Sequence, residues 1–324
     1  MTGRIDVHAH YLAPAYVEAL RAHERWLIGG IPVPEWTPEL ALAFMDRFGI
    51  ARQVLSVSDP GVEFVAAGER AALARACNDF AAQVVRERPD RFAALAVLPG
   101  DPAEALAEAA RALDELRLHG VGLLSSHDGR YPGDPELEPL LAELDRRGAW
   151  VFVHPTAVPD HSKPASAVPD FIAEYPFDTT RAIISLLING SFERFRAIRW
   201  HFAHGGGTVP MLRARLNALV AAARELGPAF GAPAGAQLLT AGSAREALRR
   251  SLYDTALVAD EPALLAVRAM AGADRLLFGS DWPFAARLYA AADAGDPQPA
   301  LRQVLDRGEL AAVEHGNASR ELGG

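Results

Sequence analysis

The strongest constraint on the fold is an alternation that runs from one end of the chain to the other. Short β-type apolar runs at Arg4–His8, Gln53–Ser58, Phe92–Leu98, Val121–Ser125, Trp150–His154, Ile198–His204, Leu252–Thr255 and Arg275–Asp281 are separated by longer helical patterns. Those patterns lie at Thr37–Phe48, Glu69–Arg88, Pro102–Leu118, Pro135–Arg147, Asp178–Phe192, Val209–Glu225 and Glu261–Met270, and they are rich in the residues that lose least on entering a helix. Strands separated by helices pair in parallel. Eight such units predict an α/β fold, a closed (β/α)8 TIM barrel, with an open doubly wound sheet as the alternative. Ligand-type side chains sit at strand ends all along the count and not at one switch point, which favours the barrel.

The 324 residues would suit two average domains, but a barrel can run to about 250 residues as one unit, so 1–324 is read as one barrel domain with long loops. His23–Glu35, with a Gly-Gly pair and two prolines, is an inserted loop after the first strand, and Asp160–Tyr175 is another. Ala290–Gly324 reads as a helical extension packed outside the barrel, jointed at Pro297 and Pro299.

Half the residues are hydrophobic and 23% are charged, enough apolar material for a large core. The net charge of −9 argues against nucleic acid or an anionic membrane as the partner. One cysteine, Cys77, excludes an internal disulfide framework and a cysteine-rich metal site. Met1–Asp6 shows no targeting signal and no run approaches the roughly 18 apolar residues of a membrane span, so the expected compartment is the cytoplasm. Lysine occurs once, at Lys163 in a Pro/Ser-rich stretch, against 31 arginines, which leaves little room for lysine-based chemistry.

Histidine occurs ten times, and several copies end strands. In Ile5-Asp6-Val7-His8-Ala9-His10 the two imidazoles share one strand face, as two ligands of one metal do, or as a hydrogen-bonded pair would. His154 ends Trp150–His154 before Pro155, and His204 precedes Gly205-Gly206-Gly207. Period-2 alternation places Phe202 on the side of His204 and His201 on the other, so His201 is read as structural. Asp281, in Phe278-Gly279-Ser280-Asp281-Trp282-Pro283, could be a ligand, a helix cap or a loop ion pair. Strand ends that carry His-x-His, His, His and Asp in this order are more specific together than any one of them alone.

With IDVHAH, VFVHP, FDTTRA, HFAHGGGTVP, LYDTAL, LFGSDWPF and EHGNA spread over the whole chain, the sequence resembles the amidohydrolase superfamily, in the branch related to aminocarboxymuconate semialdehyde decarboxylase. The resemblance implies a single divalent metal, zinc ahead of manganese, held by His8, His10, His154 and Asp281, with His204 acting as acid/base or orienting a water. Binuclear members carry a bridging lysine at the end of the fourth strand, where this chain has Ser125-Ser126, so one metal is expected. Arg181 and Phe177, in the segment after the fifth strand, become candidate substrate contacts, Arg181 through its planar donor fork or else at a barrel rim or dimer contact. The family's habit of pairing implies a homodimer. His127, Asp128, Arg130 and Tyr131 are candidates for the barrel mouth, and Trp26, Trp36 and Trp282 for an aromatic wall.

GIPVPEW, LSVSDPG and VFVHPT resemble members that decarboxylate 6-methylsalicylate, which implies a non-oxidative carboxy-lyase acting on a small hydroxylated aromatic acid. In that reaction the carboxylate and neighbouring phenol oxygen lie on the metal, and Asp281 or His204 protonates the ring carbon as carbon dioxide leaves. A hydrolase using metal-bound hydroxide on a lactone, amide or ketone is the alternative. A non-catalytic barrel with a structural metal is the third reading, and the acid/base pair His204 and Asp281 argues against it.

Overall fold

The structure is a computed structural model and describes residues 3–157, 168–226, 240–289 and 296–323. Its strands are β1 Arg4–His10, β2 Leu27–Ile28, β3 Ile31–Pro32, β4 Ile50–Ser56, β5 Phe92–Val97, β6 Gly120–Leu124, β7 Trp150–His154, β8 Arg199–Phe202, β9 Leu252–Asp254 and β10 Leu276–Leu277. All except β2 and β3 form one eight-stranded parallel sheet in chain order. The sheet closes on itself: Val7 N donates to Phe278 O (2.9 Å), Asp281 N to His8 O (2.7 Å) and His10 N to Trp282 O (2.7 Å). Closure without a switch in strand order makes this a (β/α)8 barrel and rules out the open sheet.

The strands form where they do because both sheet faces are covered. β5, Phe92-Ala-Ala-Leu-Ala-Val97, and β7, Trp150-Val-Phe-Val-His154, are buried at every position, the near-continuous apolar composition of a parallel sheet. Inside the barrel, Ile5, Val7, Val54, Leu95, Trp150 and Phe152 form a separate core from the one under the outer helices. Fully buried Phe152 carries about 3–5 kcal/mol of packing against truncation to alanine.

Helix starts follow local capping. Thr37, Asp101 and Asp260 each accept a backbone N–H from the first turn with proline just inside, fixing helices Pro38–Arg47, Pro102–Asp114 and Glu261–Ala271. Helices Pro14–Ala22 and Ala241–Arg250 add two elements that the hydrophobic pattern did not single out. The insertion after the first strand is also more ordered than a loop. It contains the antiparallel hairpin β2–β3, turned by Gly29 and Gly30 at positive φ, the backbone sign that two-residue hairpin turns need.

The C-terminal segment covers the barrel end formed by the strand starts. Asn317 Nδ2 donates to Ala273 O and Leu276 O, His315 Nδ1 pairs with Gly3 O, and Ala318 joins the interior core. The extension therefore stoppers the barrel and does not simply pack outside it. Lys163, the first half of the Asp160–Tyr175 insertion and residues 290–295 lie outside the described residues. Among the described residues no helix is long and apolar enough to cross a membrane.

Candidate active site

Strict alternation along β1 would turn His8 away from the interior, since Ile5 and Val7 already face it. A β-bulge reverses this. Between Asp6 and Ala9 the strand advances three residues while β4 advances two, from Gln53 to Leu55, and the extra residue brings His8 and His10 onto the interior side. Buried Asp6 braces the bulge by accepting the His8 backbone N–H (3.2 Å), Gln53 Nε2 (3.0 Å) and both the N–H and hydroxyl of Ser280 (2.9 and 2.6 Å). Gly279 completes the fit, because a Cβ there would stand 2.8 Å from His8 Cβ.

His8, His10, His154 and Asp281 converge from the two joined ends of the sheet and its middle, each offering a ligand atom within 4.8 Å of the others, and all four are buried. The outer nitrogen of each imidazole is already engaged. His8 Nδ1 faces Asp254 Oδ2 (2.9 Å), His10 Nδ1 faces Ser56 O (3.3 Å) and His154 Nδ1 faces Pro155 O (2.7 Å). Acceptors at all three Nδ1 positions fix the proton there and aim the Nε2 lone pairs inward. His8 Nε2 and His10 Nε2 then stand 3.1 Å apart, with Asp281 Oδ1 3.4 and 3.0 Å away. Three lone pairs and a carboxylate crowded this closely repel unless a cation lies among them, and N/O donors in this number suit a divalent transition metal.

The electrostatics point the same way. Burial draws His8 toward the neutral form, but the Asp254 and Asp281 carboxylates outweigh it and push its pKa to about 10. Burial holds His10 and His154 below the ordinary histidine range. Without a metal, one proton takes the positive charge that the cluster is built around, and a metal would displace it.

His204 lies beyond the end of β8, with Nε2 3.4 Å from Asp281 Oδ2. Asp281 therefore presents one oxygen to the ligand cluster and the other to His204. Both residues hold left-handed backbone, at φ 52° and 58°, which costs about 1–2 kcal/mol each. This conformation corrects the reading of β8. The strand stops at Phe202, and it is His201 and Ala203 that face the interior while Phe202 packs outward with Phe192 and Trp200. His204 regains the interior through its positive φ, not through alternation.

Sequence reasoning assigned no role to Asp254, although it lies within LYDTAL. Its Oδ2 meets both His8 Nδ1 and His201 Nε2 (3.0 Å), and its Oδ1 accepts the His204 and Ala256 backbone N–H groups, each at 3.1 Å. One buried carboxylate thus braces a candidate ligand and the candidate acid/base. Among the described residues His201 Nδ1 has no partner, and burial holds this imidazole below the ordinary histidine range, so it donates from Nε2. The signal available in the sequence was an aspartate ending a barrel strand.

A cavity of about 260 Å³ opens beside the cluster, with His154 and Asp281 at its inner end. Ile28 and Ile31 of the hairpin, Phe171, Leu257 and Phe284 supply apolar walls. Phe284 also lies against His10, ring centres 5.5 Å apart. Arg181 and Phe177 are not among the lining residues. They lie one helical turn apart on Glu174–Ile188, on its outward side, with Arg181 46% exposed and 3.4 Å from Asp178. The cation that does line the cavity is Arg287. The expected tryptophan wall is also absent: Trp26 is 60% exposed, Trp36 packs on Tyr11 and Phe80, and Trp282 stacks on Phe44. His127, Asp128 and Tyr131 are held by Glu63, Arg70 and Asp178 in an adjoining region.

Fold and site together define a (β/α)8 barrel with a buried His/Asp cluster suited to holding a metal ion, and sequence comparison gives the family. The amidohydrolase family model matches residues 5–324, and the chain belongs to that family. It is 34% identical over 304 residues to decarboxylase yanB of Aspergillus niger, covering 87% of this chain and 77% of that one. It is 34% identical over 297 residues to 6-methylsalicylic acid decarboxylase acuB of Aspergillus aculeatus, covering 88% and 85%. The crystal structure of 5-carboxyvanillate decarboxylase from Novosphingobium aromaticivorans, a complex with manganese and a nitrobenzoic acid, superposes with a TM-score of 0.87 at 20% identity, covering 99% and 96%; at that identity it speaks for the fold.

Proposed function

We propose that this chain is a metal-dependent, non-oxidative decarboxylase of a small hydroxylated aromatic acid, releasing carbon dioxide and a phenol. The carrying observation is the joint one: an inward-facing His8–His10–His154–Asp281 cluster that opens into an apolar cavity, in a chain 34% identical over most of its length to a named decarboxylase and to a named 6-methylsalicylic acid decarboxylase. These relatives favour decarboxylation over the hydrolase alternative. A cavity of about 260 Å³ falls just below the roughly 300–1,000 Å³ that drug-sized ligands fill and suits one substituted ring.

His8, His10, His154 and Asp281 would hold one divalent metal, zinc by our reading or manganese. When bound, the ion supplies Lewis-acid polarisation and a fixed seat for substrate oxygens. Phe284, Ile28 and Ile31 hold the ring and exclude water from it. The His204–Asp281 pair supplies the proton. As the bond between ring and carboxyl carbon breaks, its electron pair stays on the ring carbon and takes that proton, and carbon dioxide leaves. The two groups face each other, His204 Nε2 standing 3.4 Å from Asp281 Oδ2, so a proton can be held between them. The reading treats 1–324 as one catalytic unit working as a homodimer, which light scattering of the purified protein tests.

Candidate hydroxybenzoates, 6-methylsalicylate first, supplied to the metal-loaded enzyme should lose their acid absorbance while carbon dioxide is released. Product carrying oxygen from labelled water, with no carbon dioxide, would establish the hydrolase instead.

A further inference from the structure

The cavity is apolar on most sides, yet it contains one arginine that the reaction does not use. Arg287 lines it and is exposed, whereas His154 and Asp281 are buried, so the three mark the outer and inner ends of one cavity. Among the described residues nothing forms a hydrogen bond or ion pair with the Arg287 guanidinium. The backbone that carries it is tied to the inner end. It sits on the short helix Ala286–Tyr289, whose approach is tied to Asp281 by Ala285 N donating to Asp281 O (2.9 Å). The far end is tied by Tyr289 Oη donating to Ser280 O (2.9 Å) and by Arg47 Nη2 donating to Tyr289 O (3.3 Å). The other polar ring in the cavity, Tyr175, already spends its hydroxyl on Asp59 (2.9 Å).

We infer that Arg287 reads a second acceptor on the aromatic acid. The site then also accepts a hydroxybenzoate that carries a further carboxylate or similar group on the ring edge away from the metal cluster. This rests on the decarboxylase reading, in which the carboxylate to be lost and its neighbouring hydroxyl occupy the inner end. The ring lies along the apolar walls, and its far edge comes to the arginine. A guanidinium there presents several planar N–H donors, which match a carboxylate in bidentate fashion.

The test compares equilibrium binding, by quenching of tryptophan fluorescence, of salicylate and of its isomers bearing an added carboxylate at ring position 3, 4 or 5. The measurements use the metal-loaded wild-type enzyme, Arg287→Gln and Arg287→Lys. At least one isomer should bind wild type about tenfold more tightly than salicylate, equivalent to about 1.4 kcal/mol. That ratio should fall to near one in Arg287→Gln and be partly kept in Arg287→Lys. Equal ratios in wild type and Arg287→Gln, or no isomer preferred by wild type, would overturn the inference and leave Arg287 as a solvated residue at the mouth. Carbon dioxide release from salicylate is followed separately, so failure of the decarboxylase reading is recognised without reference to these ratios.

Discussion

Replacing Asp254 with asparagine isolates the brace behind the cluster. The side chain keeps its volume but loses its charge and turns one acceptor into a donor. In the native protein, burial alone would raise this carboxyl, but His8 and His201 outweigh it and hold it well below the usual carboxylate range. All four of its contacts are N–H donors, from His8, His201, His204 and Ala256. The new amide N–H must therefore face another N–H, or the side chain must rotate and release His8. Loss of such an outer partner costs roughly 10–100-fold in metal affinity, or about 1.4–2.8 kcal/mol. Competition of the variant with a chelator of known affinity at fixed pH measures this directly. Circular dichroism confirms that the barrel is intact. A folded Asp254→Asn protein that holds metal as tightly as wild type would refute the view that His8 is oriented from behind.

Three further outcomes follow from the same geometry. His154→Ala should lose metal on dialysis, whereas His204→Ala should retain it and lose turnover by roughly 100-fold or more, the size of a general acid contribution; metal analysis beside the decarboxylation assay separates the two. Burial pushes the Cys77 thiol up to about 12, so it should resist thiol reagents at pH 8 in the native protein and react at once in denaturant. Burial, then the Arg52 guanidinium, draw His119 down to about 4 from 6.5. The unfolded chain accepts that proton first, so stability should fall between pH 6.5 and pH 4, by about 2 kcal/mol after allowance for partial solvation, and His119→Gln should flatten this interval in denaturant titrations.

The barrel was legible because a parallel strand covered on both faces leaves an apolar run that few other structures produce, as in Phe92–Val97 and Trp150–His154. The candidate ligands were legible because they end those runs. What escaped was whatever depends on a local break in periodicity. The bulge at β1 and the left-handed backbone of His204 each reverse the parity of a strand, and alternation counted along the sequence cannot register either one. The sequence likewise singles out Arg181 and gives no reason to consider Arg287, the arginine that lines the cavity. Both are arginines beside recognisable motifs, and only the outward face of helix Glu174–Ile188 and the return of the chain after Asp281 distinguish them. Asp254 was hidden by its ordinary position at a strand end, since its importance lies in the three histidines gathered around it.

The central claim is that the four inward-facing groups hold a metal on which decarboxylation depends. It is tested most directly by measuring carbon dioxide release from a hydroxybenzoate substrate by the enzyme as purified, after removal of metal with a chelator, and after return of one equivalent of zinc or manganese. The account predicts that release is abolished by metal removal and restored by a single equivalent. Undiminished release from verifiably metal-free protein would contradict it.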